Sequence, residues 1–159
     1  MGVDAEEFKR ALRRWPSGVT IVTSRAGDQI HGMTVSAFSS VSLDPPLVLV
    51  CADLASNTHP VIREGGVFAV HILARGQEAL SHRFASKADE WRRFEGIEWT
   101  TAETGAPILP GALAVLDCRE VAAHPAGDHV IHVGEVEHVR VAEGEPLLWY
   151  GGRYRGLDR

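Results

Sequence analysis

The sequence predicts a mainly β protein, a small Greek-key-like barrel of six or seven strands with a few short helices. Three observations predict it. Runs of β-branched and apolar residues recur at VTIVTS (19–24), LVLVCA (47–52) and VFAVHIL (67–73), each bounded by turn-forming residues. Helical periodicity is confined to short pieces. So many strands in so short a chain favour closure, because closure removes exposed sheet edges.

The elements follow in order. Asp4 to Trp15 predicts a helix: Asp4 is an N-cap, Glu7 stands three residues on, as in a capping box, and Phe8, Leu12 and Trp15 share one face. Pro16-Ser17-Gly18 stops it. Strand 19–24 ends at the turn Ala26-Gly27-Asp28. Residues 30–43 predict one long strand, broken by Asp44-Pro45-Pro46. LVLVCA, apolar throughout, predicts a strand buried on both faces. Residues 56–66 predict a short helix capped by Ser56, Asn57 or Thr58 and ended by Gly65-Gly66. After strand 67–73, residues 76–86 predict a helix with Leu80 and Phe84 on one face. The charged stretch 87–99 predicts a surface excursion. Residues 112–124 and 129–141 predict a hairpin across Pro125-Ala126-Gly127-Asp128, with Gly134 marking a bulge where the apolar alternation breaks. Residues 146–157 predict a last strand or hairpin.

Composition narrows the function classes. A chain of 159 residues, 45% hydrophobic, fits one domain spanning 1–159 and one subunit of an oligomer. A net charge of −5 without a basic run argues against a nucleic-acid binder. No apolar stretch is long enough to cross a bilayer, and the start MGVDAEEFKRALRRW has no signal-peptide core. A cytoplasmic protein is the expectation. Cys51 and Cys118 lie in apolar runs and read as reduced, buried core residues. Eight histidines fall in no metal-ligand spacing, and CxxC, HExxH and GxSxG are all missing, so neither a metal site nor a hydrolytic triad is expected.

Three segments carry candidate chemistry. His31 to Ser40 concentrates small and hydroxyl residues inside a strand. Small side chains let a flat heterocycle reach the backbone, although a half-buried strand facing solvent has the same alternation. Ser56-Asn57-Thr58 precedes a helix, whose free N–H groups and dipole suit a phosphate; plain N-capping accounts for the same residues. Gly127-Asp128-His129 presents an imidazole at the mouth of a strand, with Asp128 able to orient it, or is simply a turn with a solvated histidine. Without GxGxxG or a Walker loop, any dinucleotide binds in a non-Rossmann manner.

The order of the segments goes further. Ser17 to Thr23, His31 to Phe38, Val41 to Leu49, Phe68-Ala69-Val70, Phe84-Ala85, Gly127-Asp128-His129, Gly134-Glu135-Val136 and Pro146 to Tyr150 together resemble the short-chain flavin reductases, the reductase components of two-component flavin monooxygenases. The resemblance implies an FMN-binding split β-barrel that dimerises, with flavin sites near the subunit interface. It implies an NAD(P)H:flavin oxidoreductase using FMN, or FAD, and NADH, or NADPH, that supplies reduced flavin to a partner monooxygenase. Met33, Thr34, Val35 and Ser36 match the strand that holds the isoalloxazine ring, and Val50, Cys51 and Ala52 the neighbouring strand end. Ser56, Asn57 and Thr58 match the phosphate site. Ser81, Phe84 and Ala85 match a helix end that closes over the cofactor, Tyr154 a closing aromatic, and His129 the catalytic-site histidine at the nicotinamide side. Two other readings stay open: a flavin oxidase of the pyridoxamine-phosphate type, and a non-catalytic flavin- or haem-binding barrel.

Overall fold

The computed structural model describes residues 2–158. A first helix, α1 (Ala5–Leu12), leads into β1 (Ser17–Gly18), β2 (Thr20–Ala26), β3 (Gln29–Val35), β4 (Phe38–Ser42) and β5 (Leu47–Asp53). Then come α2 (Thr58–Gly65), β6 (Val67–Ile72) and α3 (Glu78–Ala85), with one turn of 3-10 helix at Glu90–Arg92. The long strands β7 (Ala114–Ala126) and β8 (His129–Val141) precede a small hairpin, β9 (Leu148–Tyr150) and β10 (Arg153–Arg155).

Seven strands form one antiparallel sheet in the order β3-β2-β6-β7-β8-β5-β4, and β1-β9-β10 form a second, smaller one. The large sheet is rolled, and one connection proves it. Its two edge strands, β3 and β4, are joined by Ser36 and Ala37 alone. Three Cα steps span at most about 11 Å. Laid flat, seven strands would hold their edges about 29 Å apart. The chain therefore turns a corner from one edge to the other, where Cys51 N–H donates to the Ala37 carbonyl at 3.0 Å. The predicted single strand 30–43 is thus two strands, divided because Thr20 Oγ1 and the β2 ladder hold Val35 while β5 claims Phe38.

Rolling the sheet encloses Val22, Val35, Val48, Val50, Phe68, Val70 and Cys118, with Ile62 of α2 plugging one end. A second cluster, Val19, Ile21, Leu73, Phe84, Leu109 and Leu147, lies beneath α3. The strands buried on both faces are β2 and β6. β5 is not among them: Val48, Val50 and Ala52 face inward, while Leu47, Leu49 and Cys51 are half-buried on its outer face. Cys51 is accordingly no core residue.

Other elements depart from expectation in instructive ways. α1 ends at Leu12, and Phe8, Leu12 and Trp15 remain 56%, 54% and 76% exposed. Its cap is simpler than a capping box, with Asp4 Oδ1 accepting the Glu6 N–H at 2.7 Å. The β7–β8 bulges fall at Val121, directly across from Gly134 as expected, and at Glu137, so in neither is the glycine itself the extra residue. Gly134 has a packing reason instead: a Cβ there would stand 2.5 Å from the Phe68 ring and 2.8 Å from Cys118. Stretch 87–99 is only partly a surface excursion, because Arg93 is buried and Phe94, Ile97 and Trp99 pack against the cluster under α3.

Candidate functional site

A cavity of about 320 Å³ opens between β3, the loop after β5, the end of α3 and the segment that follows α3. β3 contributes Met33 and Thr34, both half-buried. The loop from Asp53 to Asn57 is shaped by its own hydrogen bonds. Ala55 N–H donates to Asp53 Oδ1 at 2.8 Å, and Ser56 Oγ accepts the Thr58 N–H at 3.0 Å while lying 3.2 Å from Met33 Sδ. Asn57 takes the N-cap position of α2 but makes no side-chain cap bond, so its amide is free to point elsewhere. It points at Glu90, donating from Nδ2 to Oε1 at 2.8 Å.

The far wall comes from Phe84 and Ala85 and from Lys87, Glu90 and Arg93. Arg93 is only 5% exposed. Its guanidinium donates to the Gly32 carbonyl at 2.8 Å and the Ser86 carbonyl at 3.0 Å, which locks the segment against β3. His31, next to Gly32, is also 5% exposed; its Nδ1 meets Thr58 Oγ1 at 2.5 Å and its Nε2 faces Glu90 at 3.4 Å. Burial, then the nearby Arg93 charge, holds the His31 pKa below its ordinary value. The Asn57 hydrogen bond does most to hold the Glu90 carboxyl below its usual range, so it is a carboxylate at neutral pH. Burial lowers the Arg93 pKa too, yet a guanidinium stays charged. The site therefore joins a sulfur- and hydroxyl-lined wall to a cluster of cations, an amide donor and two carboxylates, Asp53 and Glu90.

Of the residues expected from sequence, Met33, Thr34, Ser56, Asn57, Phe84 and Ala85 meet around this cavity. Ser81 stands directly behind it, its carbonyl accepting Thr34 Oγ1 at 2.5 Å and its hydroxyl 2.8 Å from Tyr154 Oη. Thr58 is fully buried against His31. Others lie elsewhere because successive strand residues face opposite sides. Val35, Val50 and Ala52 turn inward. Cys51 faces outward, its thiol pKa raised by partial burial. Ser36 is exposed at the corner and borders a separate groove with Trp15, Phe38 and Trp149. Tyr154 packs edge-on against Trp149. His129 is no part of the cavity wall. It pairs across the ladder with Asp53, which is, and its Nδ1 lies 2.6 Å from Asp128 Oδ1. That contact holds the Asp128 carboxyl below its usual range. The Asp128 carbonyl accepts Leu54 N–H at 2.9 Å, tying this turn to the cavity loop.

Sequence reasoning missed Asp53, Ala55, Lys87, Glu90 and Arg93. The last three hide in a run whose charge reads as solvated surface. The usable signal was the aromatic spacing of Trp91, Phe94 and Trp99 within it. Among the described residues no group of three or more His, Cys, Asp or Glu could hold a metal ion, and no helix is long and apolar enough to cross a membrane.

A flavin fits these residues in one respect that the geometry itself raises. The buried side-chain nitrogens left without a hydrogen-bond partner, His31 Nε2 and Arg93 Nε, both belong to residues around the Glu90 carboxylate, beside the start of α2. A phosphate is the kind of group that such donors accept.

Comparison with known proteins agrees. Residues 12–158 match the family model described as the flavin reductase like domain. The chain is 42% identical over 158 residues to the FMN reductase (NADH) SmoA of Agrobacterium fabrum, covering 99% of this chain and 89% of that protein. It is 47% identical over 154 residues to an NADH-dependent flavin reductase of a Rhodococcus species, covering 95% and 85%. The solved Streptomyces globisporus NADH:FAD oxidoreductase SgcE6, in complex with NAD and FAD fragments, superposes with a TM-score of 0.90 at 36% identity, covering 99% of this chain and 97% of that one. With a family model spanning nearly its whole length and relatives well above 30% identity, the chain belongs to the flavin reductase like family.

Proposed function

We propose that this protein is an NADH-dependent flavin reductase that reduces FMN and releases it to a partner monooxygenase. The observation that carries the reading is the cavity in which Met33 and Thr34 of β3 meet the cationic cluster of Lys87 and Arg93. Bound flavin supplies the hydride acceptor for reduced nicotinamide, so the protein contributes binding and orientation. Each role then falls to a residue of this chain. Thr34, held by the Ser81 carbonyl, keeps the β3 wall rigid. Phe84 and Ala85 close the cavity from α3. Ser56, Asn57 and the positive end of the α2 dipole receive the phosphate, with Lys87 and Arg93 balancing its charge. His129, oriented by Asp128, touches the nicotinamide and fixes its face.

The outer faces of β5 and β8 carry half-buried Leu47, Leu49, Ile131 and Val133, and Val41 of β4 and Leu43 just after it are 49% and 93% exposed. A second copy of the chain covering this face accounts for it and makes the protein a homodimer. A cytoplasmic location suits both the NADH supply and two unpaired cysteines.

The test mixes purified protein with NADH and FMN, without any oxygenase, and follows nicotinamide absorbance. FMN-dependent NADH consumption is expected. Tight flavin binding with no consumption would refute the enzyme in favour of a flavin carrier. His129→Ala is expected to raise KM for NADH about tenfold, the worth of one oriented polar contact. Unchanged KM and kcat would remove His129 from the site.

A further inference from the structure

Glu90 stands in an unusual place. Around the phosphate end of the cavity stand donors and cations: Asn57 Nδ2, Lys87 and Arg93, with His31 Nε2 beside them. Two carboxylates line the cavity: Asp53 Oδ1 is taken up by the Ala55 N–H of its own loop, whereas Glu90 sits on those donors. Its Oε1 accepts from Asn57 at 2.8 Å and faces His31 Nε2 at 3.4 Å, a long contact shared with the Asn57 bond. One carboxylate does not satisfy the set. His31 and Arg93, each 5% exposed, keep a nitrogen with no partner. Buried donors left unpaired are costly and rare, so such a pair marks a place where a fuller anion belongs.

The contacts that fix this segment do not run through the Glu90 side chain: Arg93 holds the Gly32 and Ser86 carbonyls, and the Arg92 carbonyl accepts from the Arg83 guanidinium. Residues 90–92 form a single 3-10 turn, and the Arg92–Asp89 pair on it is exposed. Glu90 can therefore leave without unseating the core contacts of Arg93.

We propose that Glu90 is an internal anion occupying the seat of the flavin phosphate, and that its competition for Asn57 and His31 keeps FMN exchangeable rather than permanently bound. The proposal rests on the flavin reading given above. A phosphate of about two negative charges cannot share these donors with a carboxylate. It must displace Glu90 and then tolerate its repulsion. Riboflavin, which has no phosphate, pays no such penalty. Glu90 thus lowers affinity for the phosphorylated flavin selectively, which suits a protein that hands reduced flavin to a partner.

The experiment titrates riboflavin and FMN into wild type and Glu90→Gln by flavin fluorescence, at low and high salt. Gln keeps the shape and the acceptor for Asn57 and removes only the charge. Expected is about tenfold tighter FMN binding, riboflavin unchanged within twofold, and an FMN gain that shrinks as salt rises. FMN binding that is unchanged or weaker in the variant, or a gain shared equally by riboflavin, overturns the proposal. Failure of wild type to bind either flavin overturns the functional reading as well, which separates the two failures. Should Glu90→Gln not fold, Glu90→Asp draws the carboxylate back from Asn57 and must still favour FMN over riboflavin; no change in that ratio overturns the proposal.

Discussion

His71 offers the sharpest energetic test of this fold. It lies on β6, fully buried, with Nδ1–H donating to the Ile21 carbonyl at 3.0 Å and Nε2 accepting the Leu109 N–H at 2.9 Å. Both nitrogens are satisfied only in the neutral ring. Protonation at Nε2 would set two N–H groups against each other in an apolar interior. Burial dominates, Arg140 adds repulsion, the Ile21 bond opposes both, and the pKa is pushed down to about 4 from 6.5. A folded value below the unfolded one contributes stability that is whole above about pH 6.5 and declines as pH falls towards 4. The full loss is about 3 kcal/mol at 1.36 kcal/mol per pH unit, and about 1.4 kcal/mol is already gone at pH 5.5. Urea unfolding followed by tryptophan fluorescence from pH 8 to 5 measures it, with His71→Asn as the comparator. The variant is less stable throughout, but its stability falls less steeply with acid by that margin. Parallel curves for the two proteins between pH 7 and 5.5 would refute a buried, neutral His71.

Two glycines give further predictions. Gly134→Ala drives a methyl into Phe68 and Cys118, and is expected to cost about 1–3 kcal/mol as overpacking, read as a lowered Tm; an unchanged Tm would mean the β8–core spacing is looser than described. Gly32→Ala places a Cβ 2.9 Å from the Phe84 ring and 3.3 Å from Phe94, so α3 and the segment carrying Arg93 must shift. Weakened FMN binding with only a small drop in Tm is expected, and undiminished FMN affinity would separate Gly32 from the site.

How much was legible in the sequence follows from the range of the forces involved. Strand 19–24, helix 56–66, strand 67–73 and the β7–β8 hairpin are set by local pattern and turn chemistry, and they stand close to where the pattern predicts them. The break at Ser36-Ala37 is not local: it exists because β2 and β5 compete for one run of chain, which only sheet closure reveals. β5 misled for a related reason. Its uniform apolarity reads as two-sided burial, but only its inner face is buried within this chain. Within the segment 33–36 strand alternation sends Val35 to the core and leaves Ser36 at the corner, so two of the four expected residues reach the cavity.

The same alternation explains why the charged end of the site escaped notice and what Gly32 is for. The small residues of His31-Gly32-Met33-Thr34 suggest a strand that a ligand approaches directly. At Gly32 the structure uses the vacancy differently. The space a side chain would take is filled by the rings of Phe84 and Phe94, which meet edge-on 5.2 Å apart. Those rings draw the end of α3 and the segment after it onto β3, and the Gly32 carbonyl then receives Arg93. A charged run that composition assigns to solvent is thus pulled down by two aromatics and one missing side chain. Arg93 and Glu90 arrive beside Asn57 as a consequence. In this chain the glycine of the strand shapes the charged end of the cavity at one remove, through packing.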